Sequence, residues 1–151
     1  MAAQVQANIR PAREGDAPAI TRLCGQLGYP ASLEEVQRRL HRVIQEAGTH
    51  IVCVAEMPGQ GVVGWVHAFV CDSLLVDTYV EIGGLIVDRE YRRHGLGRRL
   101  MEAAEEWALR RGCGQIRLRS NVIREGAHRF YERLGYEFVK TQVTLRKVIT
   151  G

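Results

Sequence analysis

The sequence predicts one α/β domain over residues 1–151, built on a mixed central sheet of six to seven strands flanked by about four helices. Three observations carry this. Segments of helical and strand periodicity follow one another in the order β-α-α-β-β-β-α-β-α-β. No linker, internal repeat or low-complexity stretch divides them. A nearly continuous apolar strand, Tyr79–Val87, runs through a short turn into a glycine loop and an amphipathic helix, as a buried central strand and its crossover would.

The elements follow in order. Val5–Arg10 reads as a first strand ended by Pro11, and Asp16 as the cap of a helix reaching Leu27, with Ile20, Leu23, Cys24 and Leu27 on one face. Gly28-Tyr29-Pro30 breaks that helix. Ser32 with Glu35 forms a capping box for a second helix, whose apolar positions are Leu33, Val36, Leu40, Val43 and Ile44. His50–Glu56 and Val62–Val70 read as a hairpin around Pro58-Gly59-Gln60-Gly61. In the fourth strand, Gly83-Gly84 would weaken pairing unless a bulge or a close backbone approach requires them. The next helix has Leu96, Leu100, Met101, Ala104, Trp107 and Ala108 on one side and Glu102, Glu105, Glu106 and Arg110 on the other. Gln115–Asn121 alternates as a strand, about Glu125 to Leu134 forms a short helix stopped by Gly135, and Tyr136–Ile149 is a terminal strand or hairpin. Trp65 and Trp107 belong to the core.

Composition narrows the function classes. With 46% hydrophobic and 25% charged residues the chain is an ordinary globular one, and no apolar run approaches a membrane span. The N-terminal residues lack the pattern of a signal peptide, so the expected location is cytoplasmic. Cys24, Cys53, Cys71 and Cys113 are scattered, which suits buried or half-buried thiols rather than disulfides, a zinc site or a catalytic thiol. His41, His50 and His67 show no metal-ligand spacing, so no metal is expected. Net charge is +4, nearly all of the positive charge being arginine, and one cluster lies at the glycine loop. Without interleaved aromatics or a reading helix, that pattern suits a small polyanion better than nucleic acid.

The loop Arg92-Arg93-His94-Gly95-Leu96-Gly97 opens a helix, whose first N–H groups lack intrahelical partners and lie at the positive end of its dipole. Arg92, Arg93, Arg98 and Arg99 add charge, and two glycines let the backbone approach phosphate oxygens. The chain has no Gly-Lys for a nucleotide-hydrolase loop, and the third glycine of a dinucleotide loop is missing.

With V-D-x-x-Y-R-R-H-G-L-G-R-R-L-M over 87–101, Ser120-Asn121 at a strand end and Ala127-His128-Arg129-Phe130-Tyr131-Glu132-Arg133-Leu134-Gly135-Tyr136, the chain resembles the GNAT superfamily of acyl-CoA-dependent N-acetyltransferases. The resemblance implies acetyl-CoA, with its pyrophosphate on the amides of residues 93 to 98 (Arg93, His94, Gly95, Leu96, Gly97, Arg98) beside Arg92. It implies the pantetheine arm along Leu85, Ile86 and Val87, with Asn121 bonding that arm or orienting the Tyr131 helix. It also implies Glu81 as general base, directly or through water, with Asp72, Asp77 and Asp88 as weaker rivals, and Tyr131 as donor to the CoA sulfur. An alkylammonium with a pKa of about 10.4 loses its proton at neutral pH at a cost of about 4 to 5 kcal/mol, hence the need for a base. Structural alternatives are an edge carboxylate for Glu81, core packing for Tyr131, a turn or cap for Asn121 and a hydrogen-bonded structural residue for His128. The implied reaction is acetyl transfer to the primary amine of a small molecule or peptide, with no membrane partner; a homodimer is one arrangement the family uses. An acyl-CoA-binding sensor without catalysis is the alternative. The pattern around Tyr131 resembles members acting on aminoglycosides or aminoalkylphosphonates, although the positive net charge does not favour a polycationic acceptor.

Overall fold

The computed structural model describes residues 6–120 and 125–150. It divides into two compact units, residues 1–118 and 119–151. The first holds five strands and three helices: β1 (Asn8–Pro11), α1 (Ala17–Leu27), α2 (Leu33–Gln45), β2 (His50–Met57), β3 (Gly61–Cys71), β4 (Tyr79–Val87), α3 (Leu96–Arg110) and β5 (Ile116–Leu118). The second holds α4 (Glu125–Arg133). The strands lie in the order β1-β2-β3-β4-β5. All neighbours are antiparallel except β4 and β5, whose parallel pairing requires the crossover that α3 supplies. The fold is therefore the mixed α/β arrangement expected, with five strands among the described residues where six to seven were expected.

Strand alternation divides the core. Trp65, Val52 and Val54 pack with Ile20, Leu23, Val36 and Leu40 of α1 and α2 on one face. Gly64 turns the other way: a Cβ there would lie 3.3 Å from Leu100 Cδ1, so α3 rests on that face. Leu100, Met101 and Ala104 of α3 are fully buried, and Trp107 is 3% exposed. Trp65 is only half-buried.

The local signals hold with two adjustments. Ser32 accepts from the Glu35 amide at 3.1 Å, and Glu35 accepts from the Ser32 amide at 3.0 Å, completing the capping box of α2. Asp16 stands at the N-cap of α1 but does not bond its amides. Its carboxylate accepts from the Arg13 amide at 2.7 Å and takes both ends of the Arg10 guanidinium at 2.9 Å, closing the preceding 3-10 turn instead. Burial pulls the Asp16 carboxyl upward, but these three bonds outweigh it and hold Asp16 below the usual carboxylate range. Gly135, at φ 95°, follows α4 as the expected left-handed residue.

The terminal strand or hairpin expected over Tyr136–Ile149 does not form, and residues 137–150 have no strand assignment. Val139, Val143, Leu145 and Ile149 are 80 to 89% exposed, so their alternation finds no ladder among the described residues. The strand expected over Gln115–Asn121 is reduced to Ile116–Leu118.

Candidate active site

Glycine at 83 and 84 serves both purposes that such a pair can serve. Ala68 pairs with Ile82, whereas His67 pairs with Gly84, so Gly83 is the extra residue of a β-bulge. A Cβ on Gly83 would lie 2.7 Å from His67 Nδ1 and 3.0 Å from Phe69, and one on Gly84 would lie 2.8 Å from Trp65 Cη2. Two side chains of β3 therefore lie directly over the β4 backbone. Pairing with β5 covers only Val80, Glu81 and Ile82. Beyond the bulge, Leu85, Ile86 and Val87 keep their β3 partners but have no β5 partner among the described residues. That leaves an unpaired strand edge, the kind of edge on which an extended amide-bearing chain can add.

Glu81 is half-buried in β4, registered between Phe69 of β3 and Arg117 of β5. It lies on the α1/α2 face, because its partner Phe69 shares a face with His67 and Trp65. The Arg117 guanidinium sits 4.5 Å from the Tyr79 ring centroid. Near it, an open groove of about 730 Å³ runs along residues 73–78 with Gly114, Gln115 and Arg117. Its loop carries Leu74 and Leu75, both almost wholly exposed.

After Val87, Asp88 accepts from the Glu90 amide at 3.1 Å and pairs with Arg22 of α1 at 2.7 Å. The Arg22 bond holds the Asp88 carboxyl below its ordinary range, which makes Asp88 an anchor of the loop rather than a base. Arg93 is left-handed at φ 69°, the only non-glycine residue so placed among the described residues, and Gly95 follows at φ 76° as N-cap of α3. The first helical bond runs from the Arg99 amide to the Gly95 carbonyl at 3.1 Å. The amides of residues 93 to 98 make no protein hydrogen bond among the described residues, leaving a row of donors for an anion.

The four loop arginines, all in this turn, have different partners. Arg99 donates to the Ala7 carbonyl at 2.7 Å and ties α3 to the N-terminal segment. Arg98 bonds Glu102 at 3.2 Å. Arg92 donates Nε to the Val87 carbonyl at 3.2 Å, bracing the strand end. Arg93 and His94 are exposed and make no side-chain bond among the described residues.

Glu81, Leu85, Ile86, Val87 and the loop from Arg92 to Arg98 thus lie on one continuous strand-loop-helix run. Tyr131 belongs to the second unit, in α4, where its ring packs edge-on against Phe130 at 5.1 Å and Tyr136 at 5.8 Å. His128 is half-buried on the same helix. Asn121 and Arg124 lie outside the described residues. Burial pushes the Cys24 and Cys53 thiols up, so neither is poised as a nucleophile at neutral pH. Among the described residues, no three His, Cys, Asp or Glu side chains gather to hold a metal, and no helix is long and apolar enough to cross a membrane.

A ring cluster stands beside the bulge that sequence reading left without a role. His50, His67 and Phe69 pack with centroids 5.3 to 5.6 Å apart, and His50 Nδ1 lies 3.0 Å from His67 Nε2. His50 Nε2 lies 3.4 Å from Glu46 Oε2. Burial, with the neighbouring His50, lowers the His67 pKa to about 4. Histidines at 50 and 67, one on each arm of a hairpin, were the only signal in the sequence.

Comparison with known proteins agrees with this geometry. The profile described as Acetyltransferase (GNAT) family matches residues 18–136, which span both units. An uncharacterised N-acetyltransferase of Methanocaldococcus jannaschii is 40% identical over 57 residues, 38% of this chain and 25% of its own length. The chain thus spans only a quarter of that curated relative. An aminoglycoside 6'-N-acetyltransferase solved in complex with CoA superposes with a TM-score of 0.85 at 18% identity, over 97% of this chain and 98% of that one. Another, from Acinetobacter haemolyticus, gives 0.82 at 20% identity over 95% and 99%. At such identities these two establish the shared fold.

Proposed function

Because the chain belongs to the acetyltransferase (GNAT) family, we propose that it transfers the acetyl group of acetyl-CoA to a primary amine by direct attack on the thioester. One observation carries the reading: the unpaired β4 edge at Leu85–Val87 runs straight into the unbonded amides of residues 93 to 98. The strand edge suits the amides of a pantetheine arm. The helix entry, with the Arg93 guanidinium, suits a pyrophosphate.

In this reading Glu81 draws the first proton from the ammonium, directly or through a water. Its half-buried position between Phe69 and Arg117 supports that role. The amine then attacks the carbonyl carbon, and the C–S bond breaks with its electron pair on sulfur. Tyr131 donates to that sulfur; a phenol at about pKa 10 is a weak donor to a thiolate near 8.5, so it chiefly stabilises the developing charge. The role of Tyr131 and that of Asn121 rest on the family pattern alone. The whole chain acts as one functional domain, within the cytoplasm.

The acceptor is a small-molecule or peptide amine, and the groove along residues 73–78 is its proposed approach. Neighbours of similar fold include enzymes named for aminoglycosides. A net charge of +4 favours an acceptor of lower positive charge here. The roles are tested by kcat for CoA release with a responsive amine in Glu81→Gln and Tyr131→Phe. Each variant is expected to lose about a hundred-fold. Unchanged rates in both overturn the assignment.

A further inference from the structure

We propose that His67, His50 and Glu46 form a proton exit from the acyl-transfer site, with His67 Nδ1 taking the proton that the acceptor nitrogen sheds as its bond to the acetyl carbon forms. The proposal rests on the acetyltransferase reading above and adds residues which that reading does not use.

The geometry runs in one direction. His67 Nδ1 occupies the space over the bulge in which a Gly83 Cβ would stand, 2.7 Å away, and it makes no hydrogen bond among the described residues. His67 Nε2 lies 3.0 Å from His50 Nδ1, with the two rings within 12° of parallel. Phe69 packs against both rings and fixes their planes. His50 Nε2 lies 3.4 Å from Glu46 Oε2. Exposure rises outward, from 24% for the His50 side chain to 51% for that of Glu46. The line therefore begins inside the sheet face and ends in water.

The tautomers follow from hydrogen-bond capacity. Two neutral imidazoles in contact share one proton between the facing nitrogens. The Glu46 carboxylate, 3.4 Å from His50 Nε2, favours a proton on that nitrogen by its charge rather than by a hydrogen bond, and His50 Nδ1 is then an acceptor. His67 must carry its proton on Nε2, which leaves an Nδ1 lone pair directed at the bulge. The other charged group on this face of β4 is Glu81, registered with Phe69.

The proton balance requires such an exit. Conversion of an ammonium and a thioester to an amide and a thiol removes two protons from nitrogen and adds one to sulfur: the one drawn by Glu81 returns to the sulfur through water, and the other must reach solvent. A histidine held near pKa 4 by burial cannot take the first proton from an alkylammonium at about 10.4, and that step remains with Glu81. Once the C–N bond forms, nitrogen turns strongly acidic and a neutral imidazole accepts readily. His67 takes that proton on Nδ1, passes its Nε2 proton to His50 Nδ1, and His50 releases its own Nε2 proton through Glu46 to solvent. The relay leaves both imidazoles in the opposite tautomer, which must reset by exchange with water before the next turnover; low basicity keeps His67 neutral between turnovers.

Two measurements judge the proposal separately from the enzyme reading. Imidazole nitrogen chemical shifts in the unliganded protein at pH 7 should show His67 protonated on Nε2 and bare on Nδ1; the opposite tautomer overturns the relay whatever the protein catalyses. With an amine that supports CoA release by the unsubstituted chain, His67→Gln should lower kcat about a hundred-fold and His50→Gln about ten-fold. KM for acetyl-CoA should stay within two-fold of its original value in both. Added imidazole should restore part of the rate to His67→Ala. Undiminished kcat in His67→Gln and His50→Gln contradicts the proposal. A chain that releases no CoA with any amine counts against the acetyltransferase reading, and the tautomer result then decides the relay alone.

Discussion

Gly83 and His67 share one space: the Nδ1 of His67 lies 2.7 Å from where a Cβ on Gly83 would stand. The bulge that frees the β4 edge is thereby coupled to the ring that covers it. A side chain at 83 or 84 must displace part of β3.

Gly84→Ala tests that coupling through stability. Its Cβ would meet Trp65 Cη2 at 2.8 Å and Cζ3 at 2.9 Å, and the indole is held from behind by the α1/α2 core. Overpacking of this kind costs about 1 to 3 kcal/mol. Urea denaturation should show a lower midpoint with an unchanged slope. An unaltered midpoint would mean that the indole is free to move aside.

Arg93→Gly should separate stability from cofactor affinity. A non-glycine residue at φ 69° carries about 1 to 2 kcal/mol of backbone strain, which glycine relieves, offset in part by the greater freedom of the unfolded chain. Stability should stay level or rise by up to about 1 kcal/mol. KM for acetyl-CoA should rise about ten-fold, the size of one lost charge-assisted bond. A loss of stability with KM unchanged would make Arg93 a structural residue.

The buried imidazole gives a pH signature. His67 has its pKa lowered from 6.5 to about 4, so the unfolded chain takes up a proton first as the pH falls. The native stability tied to this group is complete above about pH 6.5 and is lost between there and about pH 4, amounting to about 3 kcal/mol. The carboxylates lowered by their partners, Asp16, Glu35, Glu56 and Asp88, have ordinary values of 3.8 to 4.5 and so act mainly below about pH 5. Stability measured from pH 7 to 5 should fall in the original chain and stay flatter in His67→Gln. Parallel slopes would remove His67 as the cause.

What local chemistry decides is legible in the sequence. Tyr79–Val87 has the bounds expected, Ser32 and Glu35 close their box, and Gly83-Gly84 signals a bulge or a close backbone approach, both of which the strand contains. Long-range pairing was out of reach. Val139, Val143, Leu145 and Ile149 alternate as a strand would, yet a strand exists only with a partner, and alternation names none. The His50–His67 contact was hidden for a sharper reason. Glu56 pairs with Val62 but Ala55 with Gly64, so a bulge at Val63 shifts the register by one. Without that shift His67 would face α3, away from His50. The differing roles of the four arginines were equally hidden, since Arg99 finds Ala7 only in the folded chain.

The central claim is tested most directly by following CoA thiol release from acetyl-CoA in the presence of a panel of primary amines. Amine-dependent release, with the acetyl group recovered on nitrogen by mass spectrometry, is the predicted result. Saturable acetyl-CoA binding with no release under any amine would contradict it and identify the chain as an acyl-CoA-binding module.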